Sequence, residues 1–149
     1  MRAQAAMEYL MVIALVTALI IPASYIFYKY SQGSNERLKE GQIDKMGNDI
    51  IDAAETFYYL GYPSRQDLDE QMPEGVYNIT IFNNWAAEPK INELVFYTRF
   101  GGKQSEKVFF SRVNIKGNFS NRDWAPGAKV IRIAAVEGTP PYVNISFVR

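Results

Sequence analysis

From Tyr9 to Tyr28 the chain reads YLMVIALVTALIIPASYIFY, twenty residues without a formal charge and with only Thr17 and Ser24 as small polar side chains. Wound as a helix at about 1.5 Å per residue, such a run spans roughly 30 Å, the hydrocarbon thickness of a bilayer. Glu8 stands immediately before it. Carrying an ionised carboxylate toward bilayer depth costs on the order of 3 kcal/mol, so Glu8 is either a functional group or a residue of the headgroup layer. The start of the chain is not built like an ordinary secretory signal. Met1-Arg2-Ala3 supplies one positive charge and one small residue, and the apolar run continues to Tyr28 with no small-residue cleavage site to close it. The run is therefore expected to stay in the mature protein.

The rest of the 149 residues suffices for about one small domain with its own core. Sixteen basic and sixteen acidic residues cancel, so no excess positive charge argues for a nucleic-acid partner. The chain has neither cysteine nor histidine, and so lacks thiolate chemistry, the usual general base and the commonest zinc ligand. The expectation is a non-enzyme with no catalytic residue, cofactor or metal. One acidic run, Asp67-Leu68-Asp69-Glu70, offers clustered oxygens of the kind hard cations want, but it has no calcium-loop pattern and reads as a solvated turn after a helix.

Past the polar stretch Ser31-Gln32-Gly33-Ser34-Asn35, helical periodicity resumes. Ile43, Met46, Ile50, Ala53, Phe57 and Leu60 recur at alternating spacings of three and four, one apolar stripe along a helix whose other faces carry Asp44, Lys45, Asn48, Asp49, Asp52 and Glu55. Gly61 fits the C-terminal cap and Pro63 forbids continuation. Asn35 could cap a fresh start, so the helix either breaks at Ser31–Asn35 or runs through. Gly33, Gly41 and Gly47, each costing about 1 kcal/mol in a helix interior, point to bends. Pro22 deprives the Ala18 carbonyl of its usual donor, as either a kink of a membrane helix or a bend used in packing.

After Pro63 the period changes to two. Strands are expected over 76–82, 94–100, 107–115, 129–136 and 142–148, with Gly101-Gly102 as a hairpin turn. With no helix pattern among them, the fold class is α+β: a long N-terminal hydrophobic helix over residues 4–60, transmembrane at about 9–28, followed by a small antiparallel β-sheet or sandwich head over 61–149. Asn78, Asn118 and Asn144 each open an N-x-S/T sequon and are candidate N-glycosylation sites. Trp85 and Trp124 fall in expected loops, where exposed aromatics suit adhesion or cover a core edge.

The N-terminal residues Arg2-Ala3-Gln4-Ala5-Ala6-Met7-Glu8-Tyr9-Leu10 resemble the class III signal peptide of euryarchaeal type IV pilin-like proteins. That pattern is a basic and a small residue, then Gln-x-Ser-x-Glu-x-x-Leu or its Glu-Tyr-Leu variant, then an apolar helix. Ala3 and Ala6 stand here where Gly and Ser are usual. Tyr58-Tyr59-Leu60-Gly61 and Pro73-Glu74-Gly75-Val76 continue the likeness more loosely.

The resemblance implies that residues 1–3 are a signal peptide, that a prepilin peptidase cuts between Ala3 and Gln4, and that the mature chain begins at Gln4. It further implies a structural subunit, major or minor, of an archaeal type IV pilus-like surface filament. Its partners would be other pilin subunits, the peptidase, the membrane and an assembly platform. Its location would be first a membrane-anchored precursor and then an extracellular filament. Physics gives Glu8 a place in this. In a stack of such helices the Gln4 amine of one subunit can meet the Glu8 carboxylate of the next; at 4 Å and an effective dielectric near 20 the attraction is roughly 4 kcal/mol before desolvation. An unpaired Glu8 in the same surroundings would be penalised, so the pair sets the stagger. The alternative is a monomeric surface protein on an uncleaved anchor, with a ligand-binding or adhesive head.

Overall fold

A computed structural model describes residues 2–85 and 90–148. A single helix, α1, spans Arg2–Leu60, and seven strands follow: β1 Arg65–Met72, β2 Val76–Asn84, β3 Ile91–Phe100, β4 Lys103–Phe110, β5 Ile115–Gly117, β6 Gly127–Val136 and β7 Tyr142–Val148. The α+β architecture is as the sequence implies. The helix is continuous across Ser31–Asn35 and through Pro22 and all three of its glycines. It stops where expected: Gly61 adopts φ +75° and donates its N–H to the Phe57 carbonyl, closing the last turn.

The chain divides into two compact units, Met1–Arg37 and Leu38–Arg149. The second unit begins inside the helix, because the apolar stripe of α1 is part of the head's core. Ile43, Met46, Ile50 and Ala54 are buried together with Ile79, Leu94 and Phe96 of one sheet and Ile131, Ile133, Val143 and Ile145 of the other. Ala53 and Phe57 pack against this cluster, whereas Leu60, the last expected member of the stripe, is exposed. Gly47 lies in the same face. A Cβ there would overlap the Phe109 ring, so the absence of a side chain is what lets β4 come close.

The strands form two sheets, β1-β6-β7-β5 and β2-β3-β4. Alternation does the sorting. Ile131, Ile133 and Ala135 of β6 and Val143 and Ile145 of β7 point into the core, with half-buried residues between them. The hairpin between β3 and β4 turns through Gly101-Gly102, both at positive φ as a two-residue type I′ turn requires, with Phe100 opposite Lys103.

Two expectations need correction. The stretch 107–115 is not one strand: β4 ends at Phe110, and Ile115 begins β5 in the other sheet. Ser111 ties that crossover, its Oγ donating to the Val113 carbonyl and accepting from the Val113 N–H. β5 runs parallel to β7, which makes that sheet mixed rather than purely antiparallel. The second correction concerns Asp67-Leu68-Asp69-Glu70, which is no turn. It lies within β1, an edge strand paired along its whole length with β6. Only Leu68 and Met72 of β1 are apolar, too few to declare a strand by pattern, and cross-strand pairing supplies what local propensity does not.

Candidate assembly helix and head surfaces

In the first unit the apolar run is bare. Every residue from Ala6 to Asn35 is exposed, and an eighteen-residue window reaches a mean hydropathy of 2.4 with none of it buried. By length and composition this helix can cross a membrane. A helix apolar on all sides has no face to turn to water; its stable surroundings are lipid or other apolar helices. The ends of the run suit an interface. Tyr9 stands at one end, and Tyr25, Tyr28 and Tyr30 cluster at the other. The Lys29 ammonium lies 5.9 Å from the Tyr25 ring centre, and Gln32 donates to the Tyr28 hydroxyl at 2.7 Å. Amphipathic rings and a long cationic side chain are the residues that settle at headgroup level.

Gln4 and Glu8 are both exposed on the first turns of this helix, and no described side chain bonds to either. The backbone at Ala3 is helical, while its side chain lies outside the described residues. The two expected elements of processing and registry thus sit four residues apart on one helix, about one turn of rise.

The three sequon asparagines differ in setting. Asn78 is half-buried on β2 opposite Tyr97, and Asn144 is half-buried on β7, between Ala134 of β6 and Lys116 of β5. Asn118 is exposed just beyond β5, where Ser120 and Asp123 close a turn by three hydrogen bonds. Asn118 is the most accessible of the three. Trp124 covers a core edge, half-buried against the central cluster, and Trp85 is half-buried under the Lys90 ammonium.

Two of the three carboxylates of β1, Asp67 and Glu70, are tied to basic partners. Asp67 accepts two hydrogen bonds from the Arg132 guanidinium directly opposite, at 2.8 and 2.7 Å, and Glu70 accepts from Lys45 of α1 at 2.9 Å. The Arg132 fork holds the Asp67 carboxyl below the usual carboxylate range, and Lys45 does the same for Asp49. Successive strand residues face opposite sides, so Asp67 and Asp69 share a face while Glu70 turns away, and among the described residues no group of three acidic side chains converges on a common cation.

Sequence reasoning passed over two features of the head. One is a part-buried amide clamp between the exposed Asn83 and the buried Asn114: Asn83 Nδ2 donates to Asn114 Oδ1 and to the Ile115 carbonyl, both at 2.6 Å, and Asn114 Nδ2 donates to the Pro141 carbonyl at 2.9 Å. It joins β2, the start of β5 and the approach to β7. The other is a recess of about 260 Å³ at the end of α1, ringed by Tyr58, Tyr62 and Tyr142. Its residues come from three separate segments, so no local motif marks it. No family model matches the chain, and neither does any curated protein or solved structure.

Proposed function

We propose that the chain is a structural subunit of an archaeal type IV pilus-like surface filament, cut between Ala3 and Gln4 by a prepilin peptidase and assembled through its N-terminal helix. One observation carries the reading: a continuous helix whose first half is uncharged and uncovered from Tyr9 to Tyr28, with a carboxylate one residue before that run. Lipid covers the apolar surface in the precursor, and the same surface of other subunits covers it in the filament. Burying it is worth roughly 25 cal/mol per Å² of apolar area in either setting, so the exchange of lipid for subunits is nearly neutral in this term. Specificity must then come from polar groups, which are costly when unpaired in such surroundings. Glu8 is the acidic side chain at that position, and the Gln4 amine released by cleavage is its cationic counterpart in the neighbouring subunit. The chain performs no chemistry in this reading; the reaction belongs to the peptidase.

Glu8→Gln tests it, because the substitution keeps size and hydrogen bonding and removes the charge. Cleavage and membrane insertion are expected to persist, while the sheared surface fraction is lost. Wild-type filament yield from Glu8→Gln would leave Glu8 an interfacial residue and the chain a plain anchored protein.

A further inference from the structure

We propose that the recess at the end of α1 binds a small methylated ammonium ion, such as a quaternary ammonium solute or headgroup. Tyr58 comes from the last turn of the helix, Tyr62 from the turn after it, and Tyr142 from the start of β7; Pro141 and Glu137 complete the ring. The faces of tyrosine rings carry negative potential, and several around one cavity suit a cation that wears an apolar skin. Glu137 is the only formally charged residue among those that line the recess, and its carboxylate favours a cation there. Among the described residues, Glu137 forms no ion pair, and none of the three tyrosine hydroxyls forms a hydrogen bond. The carboxylate and the three hydroxyls are not consumed by the fold, while the Tyr58 ring also meets Tyr59 edge-to-face at 5.7 Å.

The same features rule against other occupants. A bare metal ion needs several converging oxygens, and one carboxylate supplies too few. A sugar ring needs a set of directed donors and acceptors, and among the described residues no side-chain amide or guanidinium lines the cavity. At about 260 Å³ the space lies below the usual range for drug-sized ligands and suits a compact group. Tyr142 already shows the chemistry: the Lys116 ammonium sits 4.3 Å from its ring centre. Lys116 also gives the site a signed test, since its charge opposes a second cation bound against the same ring.

The test is ligand-observed NMR on the full chain in a maltoside detergent, which has no ammonium headgroup to compete. Tetramethylammonium and choline are expected to bind with Kd on the order of 1 mM, and the neutral carbon isostere 3,3-dimethylbutan-1-ol about tenfold more weakly. Glu137→Gln is expected to weaken choline by roughly threefold to tenfold, and Lys116→Gln to tighten it about twofold at low salt. Tyr62 is 68% exposed, so Tyr62→Ala keeps the fold and isolates the ring's contribution, an expected loss of about fivefold. Glycerophosphocholine binding as well as choline supports the same chemistry delivered on a lipid headgroup; weaker binding supports a free solute. Equal affinity for the neutral isostere, no binding of either cation at 10-fold the expected Kd by a folded wild type, or unchanged affinity in both Glu137→Gln and Tyr62→Ala overturns the proposal.

Discussion

Gly47 of the helix meets Phe109 of β4, and the contact sets two local terms against each other. Alanine is favoured over glycine by about 1 kcal/mol in a helix interior, but a Cβ at 47 would overlap the end of the Phe109 ring. Phe109 is held edge-to-face against the fully buried Phe96 at 5.8 Å, so it cannot simply swing away, and overpacking of this kind costs roughly 1–3 kcal/mol. Gly47→Ala is therefore expected to destabilise the head, and the same change in a Phe109→Leu background to be neutral or stabilising. A double-mutant cycle of thermal unfolding checks this, and additive effects would show that the ring is not the obstacle. Asp67 makes a second residue-scale prediction. Its carboxyl titrates below its ordinary 3.8 because Arg132 hydrogen-bonds the charged form, so the unfolded chain takes up the proton first as pH falls. The contribution is complete above the unfolded pKa and is lost on acidification through the lower folded one. Stability is expected to fall below about pH 4, with part of that fall missing in Asp67→Asn and damped by salt because the pair is exposed. Identical acid profiles for the two proteins would remove Asp67 from the account.

The elements were legible in proportion to how much of their stability is local. α1 declared itself through a charge-free run, a stripe at helical spacing and a glycine-proline stop. β2, β3, β6 and β7 declared themselves through alternating β-branched and aromatic residues. β1 stayed hidden because Arg65, Gln66, Asp67, Asp69, Glu70 and Gln71 carry no strand signal; it exists because β6 offers it a ladder. The change of sheet between β4 and β5 stayed hidden for a related reason: Val113 and Ile115 are as apolar as a continuing strand would be, and the turn there rests on the Ser111 hydrogen bonds and on the packing of both sheets on one core. The polar character of β1 is itself consistent with an edge. Charges along an exposed edge oppose pairing with another copy. Asp69→Ile is expected to leave unfolding within about 0.5 kcal/mol of wild type while raising concentration-dependent light scattering of the detergent-held chain. Scattering equal to wild type would mean that the edge is guarded by something other than charge.

At the scale of the whole molecule, one helix serves two different environments. From Ile43 onward it contributes side chains to a core shared with two sheets, and from Ala6 to Asn35 its surface is bare and largely apolar. The second part was legible because its stripe is ordinary amphipathicity; its tyrosine recess and amide clamp were not, because each gathers residues from three distant segments. The first part was legible in its physical character but not in what covers it, since lipid and identical helices present the same apolar chemistry. The filament account distinguishes them by a covalent event, because pairing with Glu8 requires an amine on Gln4. The measurement that bears on it most directly is the terminal mass of the chain isolated from its native cell surface. The account predicts a mature chain that begins at Gln4, with residues 1–3 removed; surface-exposed protein that still begins at Met1 would contradict it.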